Sequence, residues 1–153
     1  MGISNCTPRI GNKMHRAIFG RVPAHAALIA TVLALASCGH IQPIYNVEQH
    51  PIPPSAQRLT LKEIGQTIIQ AATPRHWIAA EVAPGQISAT YSAREHSAQI
   101  RILYAQTSYS IEFVSATNLD AQDGRIHHKY NEWIRDLDRD IAARLVTAGS
   151  GHA

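Results

Sequence analysis

The chain has 153 residues, with 14 Lys and Arg, 11 Asp and Glu, and two cysteines. Four basic residues, Arg9, Lys13, Arg16 and Arg21, precede Cys38, and every acidic residue follows it; from Cys38 onward ten basic groups face eleven acidic ones, a net −1. That part has no net field to attract nucleic acid, which excludes this partner, and its single cysteine excludes an internal disulfide and a Cys-rich zinc site.

The basic leader is followed by an apolar run, AALIATVLALA from Ala26 to Ala36. Eleven helical residues span only about 16 Å, against a hydrocarbon core of about 30 Å. Pro23 and His25 do not help to lengthen the run. A positive stretch, a short apolar stretch and a small-residue exit are the parts of a secretory signal peptide, here residues 1–37, with Met14 as a second candidate start. Leu35-Ala36-Ser37-Cys38 resembles the lipobox of bacterial lipoproteins. The resemblance implies a diacylglyceryl group on the Cys38 thiol, cleavage before Cys38 and acylation of the new amino terminus. Ordinary cleavage near Ser37 is the alternative, and would leave a lone thiol in an oxidising compartment. Gly39, rather than Asp, follows the cysteine. By resemblance this implies sorting to the outer membrane, with the protein lipid-anchored in the cell envelope and facing the periplasm.

Residues 38–58 contain Pro43, Pro51, Pro53 and Pro54. Proline lacks a ladder donor and stiffens an extended chain, so this stretch is expected to be a tether. Residues 59–147 then suffice for one small core, and residues 148–153 are expected to be a disordered tail. Thr60 and Glu63 have the spacing of a capping box, and Leu61, Ile64, Ile68, Ala71 and Ala72 continue at helical spacing. Gly65 weakens this helix and Thr73-Pro74 ends it. Three segments then alternate with period two: Ile87, Ala89, Tyr91; Ala98, Ile100, Ile102, Tyr104; and Tyr109, Ile111, Phe113. Their connections are short, which favours an antiparallel meander, and Trp77 to Val82 is a candidate further edge strand. Tyr130, Trp133, Ile134, Leu137, Ile141 and Leu145 form one stripe of a closing helix. The expected fold is α+β, α-β-β-β(β)-α: a small antiparallel sheet of three to four strands with both helices packed on one face.

The domain also resembles a group of small uncharacterised proteobacterial lipoproteins. The likeness rests on Pro84-Gly85, Arg94 with His96, Tyr109-Ser110-Ile111, and Ile126-His127 with Tyr130-Asn131-x-Trp133. It implies location and fold, and no activity.

No phosphate-binding glycine loop, GxSxG or HExxH occurs. Asp120-x-x-Asp123-Gly124 lacks the third acid and distant Glu of an EF-hand and reads as a turn, so no metal and no cofactor beyond the lipid are expected. His127 and His128 diverge by about 100° on a helix and cannot both face one ion without irregular backbone. His127, Tyr130, Asn131 and Ile134 share a face, and His96, at a strand turn, is a candidate neighbour. Asn131, flanked by aromatics, needs partners if buried, and the 118–125 loop is the expected one. Two function classes remain. One is a non-enzymatic binding or scaffold module docking an envelope protein or cell-wall partner through its polar sheet face or a strand edge. The other is a small periplasmic enzyme or ligand binder using Arg94, His96, His127 and Tyr130.

Overall fold

The protein is described here by a computed structural model over residues 40–151; the leader, the lipobox and Cys38 lie outside the described residues. Regular structure begins at once, with β1 (Ile41–Pro43) and β2 (Val47–Pro51), followed by a 3-10 turn at Ala56–Arg58. Thr60 then opens α1 (Leu61–Ala72): its Oγ1 accepts the Glu63 N–H at 3.2 Å, and Glu63 Oε2 accepts the Thr60 N–H at 2.7 Å. This reciprocal cap satisfies two of the orphan donors at the helix start. A second 3-10 turn, Thr73–Arg75, leads into β3 (Trp77–Ala83), β4 (Gln86–Ala93), β5 (His96–Tyr104) and β6 (Ser108–Thr117). Then come β7 (Arg125–His127) and α2 (His128–Ser150).

The main sheet has five antiparallel strands in the order β2-β6-β5-β4-β3, and β1 pairs with β7 in a separate two-stranded sheet. Ile87, Ala89, Ile100, Ile102 and Ile111 line the buried face. Ile64 and Ile68 of α1 and Ile134, Leu137, Ile141 and Leu145 of α2 complete one core against them. The other face is polar over most of β4 to β6, with Arg101 Nη2 bonded to Glu112 Oε2 at 2.7 Å across neighbouring strands, and carries exposed Ile78 and Leu103 as well. Alternation thus divided the residues of β4 and β5 correctly, whereas in β6 Tyr109, Ser110 and Ile111 are buried in succession, and both helices cover one face as expected.

The expectation of three to four strands is overturned: the main sheet has five, and a two-stranded sheet is added. Trp77–Ala83 is a full strand, and the fifth comes from the supposed tether. Residues 41–58 are not a tether. Val47, Ile52 and Ala56 are buried in the core, and the Ile52 N–H donates to Thr107 O at 2.8 Å. The prolines permit this because β2 is an edge strand, where a missing donor costs no ladder bond, and Pro51 closes it. The expected tail also begins too early, since α2 runs to Ser150. Its last turn rests on the Ser55–Ala56 backbone at Gly149, where a Cβ would come within 2.5 Å of Ala56 N.

Gly65 has an equally specific role. A Cβ there would run into the ring and hydroxyl of Tyr104. That ring is buried and its hydroxyl donates to Glu81 Oε1 at 2.8 Å, so it is not free to swing away. Burial, and next the Glu81 bond, raise the Tyr104 pKa to about 12, so the donor is retained at any ordinary pH. Helix propensity alone predicts that Gly65→Ala stabilises by about 1 kcal/mol. Overpacking costs about 1–3 kcal/mol and is expected to win. Chemical denaturation should show a net loss of up to about 2 kcal/mol; a gain would mean that Tyr104 yields.

Candidate functional site

The histidine-rich end of the domain is assembled from three elements. β7 delivers His127 as the N-cap of α2, with the imidazole Nδ1 accepting the Lys129 N–H at 3.3 Å. His128 follows, and its N–H donates to the His40 carbonyl at 2.7 Å. The three rings cluster, with centroids 4.4 Å apart for His127–His128, 5.4 Å for His40–His128 and 5.9 Å for His40–His127. Arg94 and His96 lie on the exposed β4–β5 turn. There His96 Nδ1 is 2.7 Å from Asn118 O, and Asn118 Nδ2 donates back to Glu95 O at 2.7 Å. His96 is near enough for its charge to act on His127. His96, in the sequence only a candidate neighbour of His127, lies at the same end, and His40, which joins the cluster, lay in the supposed tether.

Tyr130 and Asn131 do not join this end as ligands. Tyr130 is buried edge-on to Phe113, with centroids 5.3 Å apart, and burial pushes its hydroxyl pKa up. Its hydroxyl has no protein partner. Asn131 is 2% exposed, and its amide holds the 42–45 segment rather than the 118–125 loop. Oδ1 accepts the Tyr45 N–H at 3.0 Å, while Nδ2 donates to Pro43 O at 2.9 Å and Gln42 Oε1 at 3.4 Å. The Asp120–Gly124 segment is a tight turn with positive φ at Asp120, Asp123 and Gly124. No group of His, Cys, Asp or Glu among the described residues is arranged to hold a metal ion.

Three further features stand out, of which the first two were not anticipated. His50 of β2 stacks on Tyr109, with centroids 4.9 Å apart, and its Nδ1 lies 2.8 Å from Asp138 Oδ1. Tyr109 donates to the same oxygen at 2.7 Å, and burial followed by this bond holds its pKa well above the usual tyrosine value. The cluster locks the β2 edge to the middle of α2. Second, a notch of about 270 Å³ is lined by Trp77, Tyr91 and Trp133 with Arg75 and Asp136 at its rim. Third, β3 forms an open edge of the main sheet: among the described residues no strand pairs with its outer side. Ile78 is 81% and Val82 57% exposed there. The candidate edge strand at Trp77 to Val82 is thus found at the edge of the sheet, as strand Trp77–Ala83.

No family model matches the chain, and no curated protein or solved structure is significantly similar to it.

The His127 pKa is lowered, first by burial and then by the neighbouring His128 and His40. A folded-state pKa below the unfolded value of about 6.5 means that the unfolded chain takes up the proton first. Stability is therefore complete above that pH, falls as pH drops through about 6.5, and levels off below the folded value. His127→Asn keeps an N-capping acceptor and removes the titration. Denaturation at pH 7.5 and 5.5 should show a smaller acid loss in this variant than in the parent. Equal losses would mean that His127 contributes nothing to the acid response.

Proposed function

We propose that this protein is a lipid-anchored module of the cell envelope that works by binding rather than by catalysis, taking an extended segment of an envelope partner along β3. The leader and lipobox support the anchor, and the β3 edge supports the mode of binding. An unpaired strand flank is a row of free backbone donors and acceptors, which a partner strand can complete, and adjacent side chains give specificity. Stable sheets usually blunt such an edge with Pro, Lys, bulges or cover. The opposite edge, β2, is blunted in this way: it ends in Pro51, carries His50 locked to Asp138, and shifts register between Val47 and His50. β3 reads WIAAEVA, with no Pro or Lys, one register shift near its end and two exposed aliphatic side chains. This contrast within one sheet is the observation that carries the proposal.

The reading as a small enzyme finds less support. Tyr130 is enclosed in the core, so Arg94, His96, His127 and Tyr130 do not line one accessible cavity.

A photocrosslinking residue in place of the exposed Ala80 tests the proposal in the full chain inside cells. With Cys38 present, the chain should fractionate with envelope membranes and give one discrete adduct. Val82→Lys should leave the fractionation unchanged and reduce the adduct by about tenfold, the equivalent of 1.4 kcal/mol. Cys38→Ala should abolish the acyl mass and the outer-membrane fractionation, leaving either a precursor held by its uncleaved signal or a released soluble form. An adduct indifferent to Val82→Lys, a parent chain without acyl mass, or outer-membrane fractionation unchanged in Cys38→Ala would contradict the proposal.

A further inference from the structure

We infer that the histidine-rich end of the domain rests directly on the lipid headgroups of the bilayer that anchors the chain. This rests on the proposed lipid anchor at Cys38, and deepens it by naming which face meets the membrane. The deciding quantity is the length of chain between the anchor and the first fixed residue. His40 accepts the backbone N–H of His128 at 2.7 Å, and Ile41, Gln42 and Pro43 pair in register with His127, Ile126 and Arg125. Arg125 Nη2 adds a bond to Ile41 O at 3.0 Å, and the Ile44 N–H donates to Gly124 O at 2.9 Å. The chain is therefore committed to the domain from His40 onward. Only two residues of chain lead from Cys38 to His40, a reach of at most about 7 Å. A free linker of twenty residues would place the domain on the order of 25 Å away. With the acyl chains in the bilayer, the short connection holds this end at headgroup level.

The rest of the orientation follows from the fold. α2 starts at this end and has 23 residues, so its far end lies about 34 Å away along the axis. β4 ends at the Arg94 turn, and Trp77 pairs with Tyr91 near that turn while Ala83 pairs with Gln86 at the opposite end. β3 therefore runs outward from the membrane, with its open edge available along its length. The chemistry of the seated end suits an interface: the exposed Arg94 supplies guanidinium donors for phosphates, Arg125 and Lys129 add positive charge while bonded to Ile41 O and Glu132 Oε2, and the His40, His127 and His128 rings combine an apolar body with a polar tip.

The test uses the full chain expressed in bacteria and purified from membranes, bearing a single added cysteine at Lys129 or Val146 that carries a nitroxide. Both positions are exposed, and along α2 they are about 25 Å apart. The proteins are placed in vesicles of phosphatidylethanolamine and phosphatidylglycerol containing a nickel-chelating lipid. Intact mass is measured on the same samples. With acyl mass on Cys38, relaxation of the Lys129→Cys label should be several-fold stronger than that of the Val146→Cys label. Equal relaxation at both positions in acylated protein would overturn the seated orientation alone. Absence of acyl mass would overturn the anchor and, with it, the orientation.

Discussion

The amide of Asn131 is the interaction on which the amino-terminal part of the domain depends. One buried side chain satisfies a donor and an acceptor of the 43–45 backbone at once, through Tyr45 N–H and Pro43 O. Backbone groups at a buried segment need partners, and a proline-containing stretch cannot obtain them all from a ladder. Asn131 supplies them from the first turn of α2, whose stripe is already committed to the core. The segment is thereby fixed between β1 and β2, so β1 can pair with β7 and β2 can complete the sheet beside β6. The His50–Asp138–Tyr109 cluster makes the same connection farther along, from the β2 edge to the middle of α2. Two polar contacts on one helix thus turn a stretch that resembles a linker into a structural part of the domain.

How much of this was legible in the sequence follows from where the information lies. The capping box at Thr60 and Glu63, the alternation in β4 and β5 and the apolar stripe of α2 are local patterns, and the structure follows them; in β6 the alternation breaks at Ser110, which is buried under β2. The failures were non-local. Prolines in residues 43–54 argue against a central strand but are compatible with an edge, and nothing local told the two apart. Val47, Ile52 and Ala56 were the available signal: apolar residues spaced through a supposed tether, each buried. Gly65 read as a helix weakness because its partner, Tyr104, lies 39 positions away in the sequence. Of the candidate site residues, His127 and His96 share one end, whereas Tyr130 and Asn131 belong to packing. Asn131 was rightly singled out as a buried amide, but its partners lie in the segment that had been set aside.

The two sheet edges express the same economy in opposite ways. β2 is pinned by side chains from α2 and closed by proline, so its flank is poorly suited to pairing. β3 carries no such protection and exposes Ile78 and Val82. Burying these side chains against a partner strand would remove apolar surface from water and satisfy the free backbone groups, the two gains that drive strand addition.

The docking of residues 40–52 is tested most directly by native-state hydrogen exchange at the amides of Ile44, Tyr45 and Ile52. These donate to Gly124 O, Asn131 Oδ1 and Thr107 O. In the parent protein they should exchange with protection close to that of the β4–β5 core. In Asn131→Ala, Tyr45 should lose its protection and global stability should fall by about 1–3 kcal/mol, the cost of unpaired buried backbone groups. Exchange at the rate of an unfolded chain at all three amides in the parent would show instead that residues 40–52 are a tether, and the five-stranded sheet would be wrong at its β2 edge.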